Sequence, residues 1–293
     1  MKNILERLKA GEVLVNDGAM GTQLMEMGLG AGECPELWNI KFPQKIAQLH
    51  KDYINSGCDI IVTNTFGANR IKLEKAGPQK DINEINKRAV GIAKDASGGR
   101  VYVFGDIGPT GELLEPLGGI SEKEAEDCFL EQIEILKQAG VDGLIFETFS
   151  DLKELTIATE AAANFNLPKI ATMTFQRAKD GFRTVMGIAP QDLFRINCDI
   201  FGANCSLGTK DMIELAAYFR SIKKDKILIM QPNAGMPVLK NNETTYPETP
   251  DDFKAFAEKA LKIGINIIGG CCGTTPAHIK AIRDAVNKGR DKK

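Results

Sequence analysis

The sequence is predicted to fold as a single α/β domain, a (β/α)8 barrel of the TIM type, and three observations support this. Short β-rich runs occur eight times along the 293 residues, and each precedes a stretch with helical periodicity. Glycine ends a helix immediately before a strand at 56–59, 139–142 and 263–266. Connections from strand to helix are long, whereas those from helix to strand are tight. A doubly wound open sheet is the alternative, but no predicted strand leads into a G-x-G-x-x-G or Walker turn.

The predicted elements alternate along the whole chain. The N-terminal segment 1–8 mixes charged residues with apolar residues at helical spacing. Strands are predicted at 13–17, 59–63, 101–106, 143–147, 169–174, 199–205, 226–231 and 266–270. Between strands, apolar residues share one helical face, as do Ile46, Leu49 and Tyr53. The last helix is predicted to begin at Pro276 with Thr275 as its cap. The barrel is predicted to cover 1–288, and a basic tail 289–293.

The long connections indicate which face of the barrel is functional. They are 18–41, 65–80, 107–120, 175–189 and 232–250, and all of them follow predicted strands. Long loops inside a compact domain are usually functional. In a (β/α)8 barrel such loops lie at the C-terminal ends of the strands, where the active sites of these barrels are found.

Composition excludes several classes of partner and location. The formal net charge of −2 argues against nucleic acid or an anionic membrane as the main partner. We find no apolar signal-peptide region and no apolar run of the roughly 20 residues that span a bilayer. The seven cysteines are an odd number and are spread along the chain, so a complete disulfide framework is not expected. A reducing cytoplasm, where thiols stay free, is the predicted location.

Three cysteines carry the strongest chemical signal. Cys205 follows one apolar strand, and the adjacent pair Cys271 and Cys272 follows another, with glycines on both sides of the pair. Three thiolates from two strand ends can bind one zinc ion and leave its fourth tetrahedral position open, as in catalytic zinc sites. Buried inert thiols and a vicinal disulfide are the alternatives. A zinc ion with an open position can hold a substrate thiol, so the sequence indicates an enzyme that acts on a small thiol.

Six motifs, in order along nearly the whole chain, resemble those of the homocysteine S-methyltransferase family. They are DGAMGT (17–22), TNTFGA (63–68), ETFSD (147–151), NCSLG (204–208), PNAG (232–235) and GGCCGTTP (269–276). The resemblance implies that Cys205, Cys271 and Cys272 bind Zn²⁺ and take part in catalysis. Within the family, Thr148 and the PNAG run resemble the N-terminal homocysteine module of cobalamin-dependent methionine synthases. Betaine-using relatives have an aromatic residue at the position of Thr148.

The resemblance also implies how homocysteine is bound. Asp17 and Glu147 are expected to receive its ammonium group, and Gly18 and Thr63 to lie beside them. Two further residues, Ser206 and Asn233, complete the predicted site. Backbone N–H groups at Gly18 or Ser206 can hold the carboxylate. The side-chain oxygen of Asn233 can fill the open zinc position until substrate displaces it.

The methyl donor is left open by the sequence. The first hypothesis is a methyl-corrinoid (methylcobalamin) protein or domain that docks over the barrel mouth, with the corrinoid bound by that partner and not by this chain. The second is a self-sufficient enzyme that uses S-methylmethionine or a betaine. A third, of another class, is a zinc-holding or redox-switch protein without turnover.

Overall fold

The predicted barrel is confirmed. The structure is a computed structural model that describes residues 2–77, 81–240 and 243–290. Within these ranges, eight parallel strands pair in the order β1-β8-β7-β6-β5-β4-β3-β2, and a parallel bridge between Asn16 and Ile60 joins the first strand to the second. The strands are β1 Leu14–Val15, β2 Ile60–Val62, β3 Tyr102–Ile107, β4 Gly143–Phe149, β5 Lys169–Met173, β6 Ile200–Asn204, β7 Ile227–Gln231 and β8 Ile267–Ile268.

Helices cover the outside of the barrel and end where the sequence predicts. Gly140 and Gly264, with φ of 94° and 86°, adopt the left-handed conformation that ends two of them before β4 and β8. The helices are α1 Ile4–Lys9, α2 Gly21–Glu26, α3 Trp38–Lys41, α4 Pro43–Asn55, α5 Arg70–Lys75, α6 Ile82–Ser97, α7 Glu122–Ala139, α8 Leu152–Ala161, α9 Thr209–Ile222, α10 Pro250–Ile263 and α11 Pro276–Arg290, with 3-10 helices at Pro35–Leu37 and Pro190–Arg195.

Two predictions need correction. The fifth strand was expected to lead into an α-helix, but the described chain between β5 and β6 holds a hairpin and the 3-10 helix Pro190–Arg195. Only ten residues, 190–199, lie between Ala189 and β6, and Asn197 has a low α-helix propensity, so the 3-10 helix is not extended. The predicted tail 289–293 also begins too early. Helix α11 runs to Arg290, because the single glycine near its end, Gly289, weakens a helix without ending it. Residues 291–293 lie outside the described residues.

The barrel interior is a separate apolar core. Each strand contributes inward-facing residues, because successive side chains of a strand alternate between its two faces. Ile4 and Leu8 of α1 pack against this core from the N-terminal end of the strands and close it. The interior residues are Leu14, Ile60, Val62, Tyr102, Phe104, Ile145, Ile170, Ile200, Ile229 and Ile267. The barrel is therefore filled and has one open end, at the C-terminal ends of the strands.

The long strand-to-helix connections build the rim of that open end. The first holds α2, a 3-10 helix and α3, and the second holds α5, with 78–80 outside the described residues. Two antiparallel hairpins follow, one formed by Gln176–Ala178 with Gly181–Arg183 and one by Val238–Lys240 with Glu243–Thr245. Among the described residues, no helix is long and apolar enough to cross a membrane.

Candidate active site

Three thiols meet at the open end of the barrel. Cys205 directly follows β6, and Cys271 and Cys272 lie three and four residues beyond Ile268 of β8. The Sγ atoms of the three residues all lie within 4.8 Å of one another. The Sγ atoms of Cys205 and Cys272 are 3.7 Å apart. No disulfide joins them, and all three thiols are partly buried.

The backbone around Cys205 is held in an unusual conformation. Cys205 and Ser206 have φ of 59° and 56°, the left-handed region that residues other than glycine seldom adopt. The Cys205 N–H still donates to the Gln231 carbonyl at 3.1 Å, which keeps the residue in the ladder with β7. Strain of this kind persists where surrounding structure imposes it, and here it turns the Cys205 side chain toward the β8 cysteines.

The cysteine pair after β8 is fixed by contacts with two other segments. The Cys271 N–H donates to the Pro232 carbonyl at 2.8 Å, and the Cys272 carbonyl accepts from Ala234 N–H at 2.9 Å. Gly273 follows with φ of 79°, and a Cβ at this position would lie 2.1 Å from the ring of Tyr246. Glycine is therefore required at 273, as the sequence suggested for the glycines beside the pair.

Asn204 connects the thiols to the end of β4. It is fully buried, and its Oδ1 accepts from the Thr148 N–H at 2.9 Å and from the Thr172 hydroxyl at 2.8 Å. Its Nδ2 donates to the Thr148 hydroxyl at 2.7 Å and contacts Cys271 Sγ at 3.8 Å. Thr148 itself has φ of 63°, so Asn204 holds a second left-handed residue in place. Sequence reasoning named Asn204 only as part of a motif.

The donor set fits a zinc ion. Tetrahedral zinc with Zn–S bonds of about 2.3 Å places thiolates about 3.8 Å apart, close to the observed separation of Cys205 and Cys272. Asn233 lies after β7, and its buried Oδ1 has no hydrogen-bond partner within the described parts of the chain. Hydrogen bonds from Cys271 and Cys272 lower the pKa of Cys205, while Cys205 raises the pKa of both partners. A metal ion bound between the three sulfur atoms would replace the thiol protons, because a coordinated thiol is deprotonated.

A cavity of about 270 Å³ opens above the thiols. Four carboxylate side chains line it, from Asp17, Glu36, Asp106 and Glu147, and the described lining includes no lysine, arginine or histidine. Burial raises the pKa of Asp17, and burial together with the nearby Cys205 raises that of Glu147 to about 7. An acidic cavity of this size suits a small molecule that carries a positive charge.

The predicted substrate residues divide into two groups. Asp17, Gly18 and Glu147 line the cavity, as do the three cysteines. Thr63 does not, because its hydroxyl is engaged with Thr65 at 2.6 Å and with the Asp106 N–H at 3.1 Å. Ser206 is likewise set back from the cavity, and its hydroxyl accepts from the Thr174 hydroxyl at 2.6 Å. Thr63 and Ser206 therefore support the site's framework in this structure.

Asp106 is a cavity residue that sequence reasoning missed. It was recognised only as the end of a predicted strand in Phe104-Gly105-Asp106-Ile107. A charged residue inside an apolar strand, at the catalytic end of a barrel, is a signal that could have identified it.

Comparison with known proteins agrees with this geometry. The family model described as homocysteine S-methyltransferase matches residues 14–286. The chain belongs to the homocysteine S-methyltransferase family. Within the family, it is 30% identical over 309 residues to methionine synthase of Mycobacterium leprae, covering 99% of this chain and 25% of that protein. It is also 30% identical to betaine–homocysteine S-methyltransferase 1 of Bos taurus, covering 97% of this chain and 74% of that protein. This family member thus spans about a quarter of the length of the methionine synthases it matches.

Solved structures agree with the fold of the family. The metallated form of the homocysteine methyltransferase MmuM from Escherichia coli superposes with a TM-score of 0.77 at 20% identity. That match covers 95% of this chain and 98% of the other. At this identity, the likeness supports the barrel fold and carries no further conclusion.

Proposed function

We propose that this protein transfers a methyl group to the thiol of homocysteine and so forms methionine. The observation that carries the proposal is the cluster of three thiols within 4.8 Å at the catalytic end of a barrel of this family. Cys205, Cys271 and Cys272 would hold Zn²⁺. An ordinary thiol with pKa near 8.5 is only about 3% thiolate at pH 7, and zinc coordination deprotonates it. A site of free thiols also requires a reducing compartment, so we place the protein in the cytoplasm.

The chain's own residues would bind and orient the substrate. Asp17 and Glu147 line the cavity and would accept hydrogen bonds from the ammonium group. The backbone N–H of Gly18, which lines the cavity, would hold the carboxylate, because Ser206 is set back from the cavity. Asn233 Oδ1, unpartnered among the described residues, would be a further ligand for Zn²⁺ in the absence of homocysteine. The homocysteine sulfur takes the methyl group, and the electron pair of the broken bond stays with the donor.

We further propose that the donor is a methyl-corrinoid protein or domain. Exposed apolar side chains occur on four of the connections that surround the cavity. We call six of these exposed side chains the apolar rim: Met25, Leu113, Leu117, Val185, Met236 and Leu239. Several exposed apolar side chains around one cavity are a feature of protein contact sites, which favours a macromolecular donor.

Recognition of a small cationic donor has less support. Quaternary ammonium groups are commonly bound between several aromatic faces. Among the described residues that line the cavity, Phe66 is the one aromatic residue. Its ring is already covered by the ammonium group of Lys72 at 4.4 Å. A betaine or S-methylmethionine remains the alternative donor, because the relatives include a betaine-using enzyme.

Zinc-loaded protein is expected to form methionine from homocysteine with methylcobalamin, and not with S-methylmethionine or betaine. The measurement is methionine produced in parallel reactions that differ only in the donor. Turnover with either small donor would contradict the corrinoid assignment and keep the homocysteine assignment. Zinc binding without turnover on any donor would instead favour the redox-switch hypothesis.

The apolar rim can be tested separately in the same assay. Leu239→Asp places a charge on a side chain that is 75% exposed, and is expected to raise KM for a methyl-corrinoid protein about 10-fold. Turnover with free methylcobalamin should change less than about two-fold, because Leu239 does not line the cavity. Ile222→Asp, on the outer face of α9, is the matched control and should affect neither donor. An equal increase in KM for the methyl-corrinoid protein in Leu239→Asp and Ile222→Asp would argue against docking at the rim.

Glu147→Gln is expected to raise KM for homocysteine about 10- to 100-fold, because one charge-assisted hydrogen bond to the ammonium group is replaced by a neutral contact. Zinc content should stay unchanged, since Glu147 is not among the three clustered ligands. Steady-state kinetics and metal analysis of the same preparation test both statements. Loss of zinc in this variant would show that Glu147 supports the metal site instead.

A further inference from the structure

Asp106 is a buried residue that lines the cavity, and one oxygen of its carboxylate has no hydrogen-bond partner among the described residues. Its side chain is 5% exposed and lines the cavity. Among the residues that the structure describes, no group hydrogen-bonds its Oδ1. The backbone beside it is well anchored, because Asp106 N–H donates to the Thr63 hydroxyl at 3.1 Å and its carbonyl accepts from the Thr65 hydroxyl at 2.7 Å. The position of this carboxylate is therefore built into the end of β3.

Two of the other three acidic side chains of the cavity, Asp17 and Glu36, are hydrogen-bonded by the chain. Asp17 Oδ2 accepts from the Val62 N–H at 2.8 Å, and Glu36 accepts from the Gly67 N–H at 2.6 Å and from the Cys34 thiol at 2.9 Å. An unpaired buried carboxylate is costly to a folded protein. Asp106 is thus less satisfied by the chain than Asp17 or Glu36, and a ligand can supply the missing hydrogen bond.

The charges around Asp106 indicate which ligand group it faces. Burial raises its pKa, and the nearby carboxylates of Glu147, Asp17 and Glu36 raise it further, while Lys72 opposes them. Two of these neighbours, Asp17 and Glu147, are the residues proposed to bind the substrate ammonium. Strands β1, β3 and β4 therefore direct three carboxylates into one acidic region, where a cation would relieve their mutual repulsion.

We infer that Asp106 is a third acceptor for the α-ammonium group of homocysteine, and that it determines specificity for thiols that carry this group. This inference rests on the proposed function. An ammonium group has three N–H donors, and Asp17, Asp106 and Glu147 supply one carboxylate for each. A thiol without the ammonium group would leave all three carboxylates buried together without a counter-charge.

The test compares two ligands that differ only in that group. Homocysteine and 4-mercaptobutanoate share the thiol, the carbon chain and the carboxylate, and only homocysteine has the amine. Dissociation constants are measured by calorimetry on zinc-loaded protein. Asp106→Asn is expected to weaken homocysteine binding 10- to 100-fold, roughly the loss of a charge-assisted hydrogen bond, and to change 4-mercaptobutanoate binding less than about three-fold. Zinc content should be unchanged.

Two further measurements separate binding from a structural role. Removal of an unpaired buried charge should leave Tm of the variant unchanged or higher, whereas loss of a structural residue would lower it. Glu36→Gln is the control within the same cavity, because its oxygens are already engaged by the chain, and it should change affinity for both thiols by the same factor.

The outcomes distinguish the inference from the proposed function. If Asp106→Asn weakens both thiols equally, or neither, the inference is wrong while the homocysteine assignment stands. If wild-type protein binds homocysteine no better than 4-mercaptobutanoate, the specificity inference fails even where methionine is formed. If zinc-loaded wild-type protein binds neither thiol, the proposed function itself fails.

Discussion

Replacement of Cys271 by serine is expected to remove bound zinc and to abolish methionine formation. Three thiolates supply every clustered metal ligand found among the described residues, so loss of one leaves only two. Loss of groups that merely hydrogen-bond to ligands typically weakens metal binding 10- to 100-fold, so loss of a ligand should weaken it by more than about 100-fold. Zinc per chain, measured by elemental analysis after dialysis, should fall from about one to below about 0.1.

The matched control lies at the other end of the strand that one of the ligands follows. Cys198 precedes β6, at the opposite end from Cys205, and is also partly buried. Cys198→Ser should keep zinc and turnover within about two-fold of wild type, since it removes a thiol far from the cavity. Zinc retained by Cys271→Ser would contradict the metal assignment. Equal zinc loss in both variants would point to a general effect on folding.

The positions of the three cysteines at the ends of strands could be predicted from the sequence. Glycines at helix ends, such as Gly140 and Gly264, mark the start of each following strand. Once the strands are located, a residue at the end of a strand must lie at the catalytic face. Cys205 and Cys271 follow β6 and β8, so the topology places them at the same end of the barrel, two strands apart.

Other features depend on side-chain contacts between distant segments, which one sequence does not reveal. Asp106 was missed because its importance comes from an oxygen that has no partner in the described part of the chain, and partners are known only when the chain is folded. Thr63 was expected beside the substrate, yet its hydroxyl is engaged with Thr65 and the Asp106 backbone. The described chain between β5 and β6 holds no α-helix. A β/α repeat in the sequence therefore predicts the alternation of strands and connections, but not that every connection contains an α-helix.

Asn204→Ala is expected to weaken both the fold and the metal site. The substitution removes the acceptor for Thr148 N–H and for the Thr172 hydroxyl, and leaves these groups unsatisfied in a buried environment. It also removes the group that holds Thr148 in its left-handed conformation, at φ of 63°. The free energy of unfolding should fall by roughly 3 kcal/mol, as measured by denaturant titration. Thr172→Val deletes a single donor and should cost about 1 kcal/mol without affecting zinc.

A second substitution separates these two effects. Asn204→Asp keeps an oxygen acceptor for Thr148 N–H and Thr172, but removes the Nδ2 donor that contacts Cys271 Sγ at 3.8 Å. Hydrogen bonds to metal-binding sulfur orient the ligand and disperse its charge, and a carboxylate at the same place would repel it. Zinc affinity of this variant, measured by competition with a chelator, should fall about 10- to 100-fold. Unchanged affinity would mean that Asn204 supports the fold at β4 and β6 but has no influence on the metal, so the Nδ2–sulfur contact would be incidental.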